Sequence, residues 1–264
     1  MVGPGPNPLQ VAGIVYAVFF VVVAALLWRT GRFSKTVRYL LLLVTVLLGF
    51  LLFSPMLPHQ FQELVLRLDS RIGFGLLGGV IGIGVMLVLT FIFGRHFCGY
   101  LCPIGAVQEL AFAAPVPKVG IAKKRELSVV RGLVLLVLLG AGLGAGVSVL
   151  APFGIREFFT LALSTGFFVF AAIVLVSLFI YRPFCRVICP LGALFQLVAA
   201  PGWWKLRRTD ACIGCRKCER ACPTGEAHPG DLQSECYLCR RCIETCPVEG
   251  ALVYGPSSMQ TKGR

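Results

Sequence analysis

The chain has 264 residues, of which 57% are hydrophobic and only 14% are charged, and its formal net charge is +13. Its mean hydropathy of +0.83 excludes an ordinary soluble enzyme and indicates a membrane protein. We attribute the positive charge to membrane topology and to attraction to anionic lipid. Nucleic-acid binding is not expected, because the basic residues flank apolar runs and do not form a patch interleaved with aromatic residues.

Five uncharged runs are long enough to cross a bilayer as helices, which takes about 18 or more apolar residues. They cover residues 9–28, 39–57, 73–94, 132–155 and 158–181. The first lacks the basic n-region and the cleavage site of a secretory signal, so we predict a retained helix. All of the 25 lysines and arginines except Arg67, Arg71 and Arg156 fall on one side of these runs. This bias predicts an external N-terminus and a cytoplasmic C-terminal tail.

The central part of the sequence is a tandem repeat. Each repeat has two uncharged runs followed by a Cys-x3-Cys-Pro motif, FCGYLCP at 97–103 and FCRVICP at 184–190. Both repeats enter and leave the membrane on the same side, so the repeat is parallel and brings both motifs to the cytoplasmic surface. The predicted fold is mainly α, a transmembrane bundle of about five helices followed by a small cysteine-rich domain. Its units are a first helix and linker (1–38), the two repeats (39–128 and 129–204) and the tail domain (205–264).

The C-terminal tail contains eight of the 12 cysteines and few large aliphatic residues, so an ordinary hydrophobic core cannot hold it together. It contains CIGCRKCERACP at 212–223 and CYLCRRCIETCP at 236–247. In this C-x2-C-x2-C-x3-C-P spacing, three thiolates bind one [4Fe-4S] cluster and the fourth binds the neighbouring cluster. Zinc sites lack this spacing, and a reducing cytoplasm disfavours disulfides.

The tail is therefore predicted to be a bacterial-type ferredoxin domain with two [4Fe-4S] clusters. The cluster 1 ligands are Cys212, Cys215, Cys218 and Cys246. The cluster 2 ligands are Cys222, Cys236, Cys239 and Cys242. The basic residues beside them either stabilise reduced clusters and dock an acidic partner, or simply follow the cytoplasmic charge bias. These residues are Arg216, Lys217, Arg220, Arg240 and Arg241.

The two Cys-x3-Cys-Pro motifs repeat the second half of the ferredoxin motif. Together they supply four thiols, called here the paired-motif cysteines: Cys98, Cys102, Cys185 and Cys189. Four thiolates are what a third cluster or another soft-metal site requires. The alternative is a set of structural or redox-active free thiols that form a disulfide in turnover, and the sequence leaves both open.

Paired Cys-x3-Cys-Pro motifs followed by two ferredoxin motifs resemble the NapH family, the membrane ferredoxin-type subunits of periplasmic nitrate reductase systems. Similar modules occur in NosR and MauN, and the resemblance covers roughly residues 39–255. It implies a multi-pass protein of the bacterial or archaeal cytoplasmic membrane that passes electrons between the quinone pool and a redox partner. The implied partner is a ferredoxin-type or cytochrome subunit of a reductase or dehydrogenase. NapH-like proteins typically have four spans, one fewer than the number predicted here.

A quinone substrate needs an apolar slot with polar groups that can exchange protons. On the outer side we predict His59 and Glu63 for this role. Other candidates are Gln60, Arg67, Asp69, Arg156 and Glu157 outside, and His96, Gln108 and Glu109 inside. No catalytic residue is assigned. The alternative function is that of an assembly or regulatory protein of the CcoG type, which would handle a metal such as copper at the Cys-x3-Cys-Pro thiolates.

Overall fold

The computed structural model describes residues 8–52, 57–66, 74–120 and 124–256, and these are mainly helical. The helices are α1 (Pro8–Arg29), α2 (Lys35–Leu52), α3 (Leu57–Leu66), α4 (Phe74–Phe93), α5 (Pro103–Phe112), α6 (Lys124–Ala145), α7 (Ile155–Phe159), α8 (Thr165–Val176), α9 (Pro190–Ala199), α10 (Lys217–Ala221) and α11 (Arg241–Glu244). The strands are β1 (Trp204–Arg208) and β2 (Leu252–Pro256). Two π-helical turns, Phe97–Leu101 and Phe184–Ile188, precede α5 and α9.

The order of elements repeats along the helical part. In the first repeat, α2, α3 and α4 lead to the first π-helical turn and α5, and in the second, α6, α7 and α8 lead to the second π-helical turn and α9. Within the repeats, α2 packs on α5 and α6 packs on α9. Between the repeats, α4 packs on α9 and α5 packs on α8. This exchange brings both π-helical turns to one cavity.

The first three uncharged runs largely coincide with α1, α2 and α4, whereas the fourth and fifth are not single helices. Helix α6 ends at Ala145, where Gly146 adopts a φ of 64°. The fifth run is divided between α7 and α8 by a turn in which Leu161 has a φ of 55°. Helix α8 has 12 residues, about 18 Å, which is shorter than the ~30 Å hydrocarbon core. Uncharged composition alone does not reveal such turns.

One helical stretch among the described residues, Glu126–Ala145, is long and apolar enough to cross a membrane by itself. Shorter apolar helical stretches are Val15–Arg29, Gly79–Phe93, Thr165–Val176 and Pro190–Ala199. Large apolar side chains are nevertheless exposed along α1, α2, α4, α6 and α8, a surface that soluble monomers rarely present. The number of spans therefore stays a prediction.

The tail folds back onto the helical part. Its two ends are joined by antiparallel pairing of β1 with β2, in which Leu206 lies opposite Tyr254. The Tyr254 hydroxyl donates to the carbonyl of Phe93 at 2.5 Å and lies 3.0 Å from Nε2 of His96. These contacts fix the strand pair to the end of α4.

Candidate metal centres

Each predicted set of four cysteines lines a cavity of its own. The cluster 1 ligands line a cavity of about 10 Å³, and the cluster 2 ligands line one of about 410 Å³. The paired-motif cysteines line a third cavity of about 20 Å³. The two pairs that make up this set are 87 residues apart in the sequence. The fold thus brings together the members of each set.

The donor chemistry of these cavities fits iron-sulfur clusters. Four cysteine thiolates are the donor set of a [4Fe-4S] cluster. Among the described residues, no group of three or more His, Cys, Asp or Glu side chains is arranged to hold a single metal ion. A [4Fe-4S] cluster differs from such a site, because each of its thiolates binds a different iron.

The two Cys-x3-Cys-Pro motifs have the same backbone geometry. Cys98 lies in the first π-helical turn, and Cys102 is the N-cap of α5, which begins with proline. The N–H of Cys102 donates to the carbonyl of Phe97 at 2.9 Å, and that of Cys189 donates to the carbonyl of Phe184 at 2.9 Å. These hydrogen bonds span five residues, which defines a π-helix, a conformation that is frequent at functional sites. Proline can then start the next helix, because the N–H that it lacks would have no partner in the first turn of a helix.

A glycine two residues after the proline makes room for this geometry in each repeat. A Cβ atom on Gly105 would lie 2.7 Å from the carbonyl oxygen of Cys98. A Cβ atom on Gly192 would lie 2.8 Å from the carbonyl oxygen of Cys185. Glycine therefore lets the helix after each motif approach the backbone of its first cysteine.

Four arginines in and around the motifs are almost completely buried: Arg95, Arg131, Arg182 and Arg186. Arg95 and Arg182 each precede the first cysteine of a motif by three residues, and each reaches into the other repeat. Arg95 Nη2 donates to the carbonyl of Gly192 at 3.4 Å, and Arg182 Nη2 donates to the carbonyl of Gly99 at 2.7 Å. In the sequence, the four arginines are explained by the cytoplasmic charge bias alone, although the equal spacing of Arg95 and Arg182 from the cysteines is a signal that indicates a shared role.

Glu109 connects the first motif to the tail. Its carboxylate lies 3.0 Å from Nε of Arg182 and 2.7 Å from Nη2 of Arg241, which belongs to the second tail motif. Burial alone would raise the pKa of Glu109, but the two guanidinium groups lower this pKa to about 2. The carboxylate is therefore charged at physiological pH and holds the two parts together.

Glu235 makes the corresponding connection to the second repeat. This residue directly precedes the cluster 2 ligand Cys236, and its side chain is completely buried. Its carboxylate accepts a hydrogen bond from Arg131 and lies 3.5 Å from Nε of Arg186. Two buried ion-pair groups thus fasten the cluster 2 motif to the repeats.

The backbone around the cluster 2 ligands also packs directly on the first π-helical turn. A Cβ atom on Gly99 would lie 2.5 Å from the carbonyl oxygen of Tyr237, so only glycine permits this approach. The hydroxyl of Tyr100 donates to the carbonyl of Leu238. The paired-motif cavity and the cluster 2 motif are therefore neighbours.

The five basic residues of the tail motifs divide into two groups. Those of the first motif are exposed: Arg216, Lys217 and Arg220. Those of the second motif face the helical part, since the Arg240 guanidinium lies 5.4 Å from the ring centre of Trp28 and Arg241 pairs with Glu109. Only the first group is available to an acidic partner.

The outer quinone candidates are only partly described. His59 is half-buried on α3, and Glu63 lies one turn later on the same helix, with a side chain outside the described structure. Helix α7 carries Arg156 and Glu157. Gln60 is half-buried beside His59, and Arg67 and Asp69 lie outside the described residues.

The three inner candidates are buried in fixed contacts. Burial lowers the pKa of His96 to about 3, so its ring stays neutral beside Tyr254. Gln108 accepts a hydrogen bond from the N–H of Phe184 at 3.0 Å and donates to Sγ of Cys185 at 3.4 Å. Glu109 is held by its arginine partners. These contacts give the three residues a role in holding the motifs and do not support the expectation that they form an inner quinone site.

The sequence matches two families that are both described as 4Fe-4S binding domain. One matches twice, at residues 75–122 and 163–209, so that each match contains one Cys-x3-Cys-Pro motif. The other matches residues 207–225, which contain the first tail motif. The chain therefore carries 4Fe-4S binding domains.

Curated relatives come from both archaea and bacteria. An uncharacterized protein of Methanocaldococcus jannaschii is 34% identical over 58% of this chain and 61% of its own length. Regulatory protein NosR of Pseudomonas aeruginosa is 34% identical over 53% of this chain and 22% of its own length. Methylamine utilization ferredoxin-type protein MauN of Methylorubrum extorquens is 29% identical over 54% of each chain. The matches to NosR and MauN confirm the resemblance predicted from the motifs.

The chain spans less than two thirds of the length of each of these relatives. No solved structure matches the chain.

Proposed function

We propose that this chain, a 4Fe-4S protein related to NosR and to the ferredoxin-type protein MauN, carries electrons between the quinone pool of a membrane and a redox partner. The observation that carries this proposal is the grouping of all 12 cysteines into three cavities of four thiols each. No cysteine is left for another role. When bound, the clusters supply one-electron redox chemistry, and the protein supplies their position and electrostatic surroundings.

The tail holds the two clusters that we predict from the ligand spacing. Cys222, the last cysteine of the first motif, lines the cluster 2 cavity. Cys246, the last cysteine of the second motif, lines the cluster 1 cavity. This reciprocal arrangement keeps the two clusters close together. Electrons can therefore cross the tail from one motif to the other.

The redox partner is proposed to dock at the first tail motif. Ile213, between two cluster 1 ligands, is 68% exposed, and the three basic residues of this motif are exposed around it. An apolar centre with a charged rim is typical of a docking surface, and positive charge speeds association with an acidic partner. The partner proposed from the resemblance is a ferredoxin-type or cytochrome subunit.

The membrane is proposed to surround the two repeats and α1. The exposed apolar side chains along five helices support this proposal. The distribution of Lys and Arg supports an external N-terminus and a cytoplasmic tail. A quinone site at His59 and Glu63 on the outer side, and the specific assignment to a NapH-type quinol dehydrogenase subunit, are the finer parts of this proposal.

The test is redox-poised EPR of the purified full-length protein in detergent or proteoliposomes, with and without quinol. We expect quinol to reduce at least one cluster. If no cluster equilibrates with the quinone, the quinone link is wrong. For the outer site, His59→Ala combined with Glu63→Gln should slow reduction by quinol and leave reduction by dithionite unchanged. Unchanged reduction by quinol would remove these two residues from the site.

A second candidate function is metal handling of the CcoG type. It is favoured by the four soft sulfur donors of the paired motifs, a donor type that binds copper as well as iron, although their arrangement does not by itself hold a single ion. Metal analysis of the anaerobically purified protein separates the two functions. About eight irons with bound copper would favour metal handling, whereas iron without copper favours electron transfer.

A further inference from the structure

The cavity of the paired-motif cysteines contains a buried positive charge. Arg95 lines this cavity, is 1% exposed, and has its Nη2 atom 4.0 Å from Sγ of Cys98. Its other contacts are the carbonyls of Ser234 at 3.2 Å and Gly192 at 3.4 Å and the ring of Tyr237 at 4.5 Å. Within the described part of the chain, no carboxylate forms an ion pair with it; Glu235, which pairs with Arg131 and Arg186, acts on its charge only from a greater distance. A buried charge with no direct ion-pair partner is unfavourable.

The other three buried arginines are compensated within the protein. Arg182, the equivalent of Arg95 in the second repeat, pairs with Glu109. Arg131 and Arg186 pair with Glu235. The two repeats are thus alike in backbone but unlike in charge, because, among the described residues, Arg182 has a carboxylate in an ion pair and Arg95 does not.

Because Arg95 has no ion-pair partner in the described structure, the cavity favours a negatively charged group. Four neutral thiols, or two disulfides, would give Arg95 no negative partner inside the cavity. Four thiolates around a [4Fe-4S] core carry two net negative charges when the core is oxidised and three when it is reduced. The charge and the four thiol donors of the cavity are therefore both compatible with a cluster.

The segments packed around this cavity indicate which tail cluster would exchange electrons with a cluster bound in it. The segment 234–239, which carries two cluster 2 ligands, contacts the first repeat at three points. Arg95 donates a hydrogen bond to the carbonyl of Ser234, and Tyr100 donates one to the carbonyl of Leu238. Gly99 packs against the carbonyl of Tyr237. From the second repeat, Arg186 Nη1 donates at 3.4 Å to the carbonyl of Pro223, the residue after the cluster 2 ligand Cys222. The cluster 1 cavity, in contrast, is lined by residues of the tail alone.

We propose that the paired-motif cysteines hold an anionic [4Fe-4S] cluster with Arg95 as its counter-charge, and that this third cluster exchanges electrons with cluster 2 and not directly with cluster 1. One electron leaves the reduced third cluster and enters oxidised cluster 2, so one centre is oxidised as the other is reduced, and no bond breaks. This inference rests on the iron-sulfur part of the proposed function. It is independent of the quinone and of the partner, because a chemical reductant replaces both in the tests.

The first test is iron and sulfide analysis of the anaerobically purified full-length protein. We expect about 12 irons per chain. The double variant Cys98→Ser with Cys185→Ser should retain about eight, with the EPR signals of the tail clusters unchanged. About eight irons in the unmodified protein would overturn the proposal, even if quinol reduction of the tail clusters succeeded.

The second test measures the midpoint potentials of all clusters by EPR with chemical mediators in Arg95→Gln, Arg95→Lys and Lys118→Gln. Loss of the positive charge at Arg95 should shift the third cluster to a lower potential, because the reduced form is the more negative one. Arg95→Lys should restore most of the shift. Lys118→Gln is the control, because it removes an exposed positive charge outside the cysteine motifs.

A shift of the same size in Lys118→Gln, or no shift in Arg95→Gln, would overturn the role of Arg95. If Arg95→Gln fails to assemble, the comparison of Arg95→Lys with the unmodified protein still applies. The lysine variant should then assemble, and its failure to do so would assign Arg95 a purely structural role.

The third test addresses the order of the clusters. Neighbouring reduced clusters split each other's EPR signals through magnetic coupling. In Cys215→Ser, which removes cluster 1, we expect a split signal from cluster 2 and the third cluster. In Cys239→Ser, which removes cluster 2, the remaining signals should be unsplit. Splitting in Cys239→Ser, or its absence in Cys215→Ser, would overturn the order.

Discussion

The two tail motifs have the same cysteine spacing and different surroundings. In the first motif, the residues between the first two ligands are Ile213, which is 68% exposed, and Gly214. In the second motif, the same positions are Tyr237 and Leu238, which are 2% and 3% exposed. The ligand spacing thus defines what each motif binds, and the residues between the ligands decide whether the cluster faces solvent or the helical part.

The arginine that follows the second ligand of each tail motif shows the same difference between an exposed and a buried environment. Arg216 and Arg240 occupy equivalent positions, and both adopt the left-handed conformation, with φ of 55° and 67°. Arg216 is exposed, whereas Arg240 lies over the rings of Trp28 and Phe33. The backbone is the same in the two motifs, while the side chain is exposed in one and used for internal packing in the other.

The largest effect is expected where the second motif is fastened by charge. Glu235→Gln would leave Arg131 and Arg186 buried without a carboxylate and should lower the free energy of unfolding by about 3–5 kcal/mol. The measurement is urea unfolding of the full-length protein in detergent, followed by the loss of cluster absorbance. Glu219, which pairs with Arg208 beside the first motif, provides the control. Glu219→Gln should have a much smaller effect, and equal losses would break the comparison.

A smaller effect is expected from the backbone contact of the second motif. Gly99→Ala would place a Cβ atom 2.5 Å from the carbonyl oxygen of Tyr237, which should cost about 1–3 kcal/mol. We expect faster proteolysis of the tail, measured at fixed protease concentration. Gly132→Ala is the control, because nothing lies within 4 Å of its added Cβ atom in α6. If both variants are cleaved at the same rate, the close approach of the two segments is not required.

The third effect compares the equivalent arginines. Arg240→Ala removes the contact with Trp28 and should lower the free energy of unfolding by about 0.5–2 kcal/mol. Arg216→Ala should change it by less than about 0.5 kcal/mol, since the side chain is exposed. Both variants keep a Cβ atom in the same left-handed conformation, so the difference between them reports the packing of the side chain. The same unfolding assay measures both, and equal losses would contradict the assignment.

The smallest effect on stability is expected at the exposed face of the first motif. Arg216→Glu combined with Lys217→Glu should leave iron content and unfolding unchanged and slow association with an acidic redox partner by roughly 10-fold or more at low salt. Stopped-flow electron transfer at several ionic strengths measures this rate. Charge reversal at Lys118, a basic residue outside the tail motifs, is the matched control. A rate that does not depend on the charge of the first motif would mean that the partner docks elsewhere.

The groups of cysteines could be predicted because the ligands of each tail motif are close in sequence. The paired-motif cysteines could be predicted as a set from the repeat, although their occupant could not. The buried arginines were assigned to surface charge bias, because a sequence does not distinguish a solvated arginine from one enclosed between two repeats. The carboxylates that pair with three of them, Glu109 and Glu235, come from distant segments.

The predicted helices largely coincide with the observed ones for the first three uncharged runs, in which the described helical backbone is not interrupted. The prediction was wrong for the boundaries of the fourth and fifth runs, because the turns at Gly146 and Leu161 depend on local backbone conformation. The inner quinone candidates were chosen for their polar side chains. Gln108 and Glu109 instead use those polar atoms to hold the second motif and the tail, a role that only the folded chain reveals.

The reciprocal reach of Arg95 and Arg182 constrains how such a protein can arise. Each arginine bonds to the backbone of the other repeat, so one repeat alone contains neither a complete donor set nor its own arginine contact. A half-length gene product would build this centre only by pairing with an identical copy about a two-fold axis. Fusion of two such copies would make the pairing permanent and free each half to diverge, as the ion pair of Arg182 with Glu109 illustrates, since Arg95 has no equivalent ion pair among the described residues.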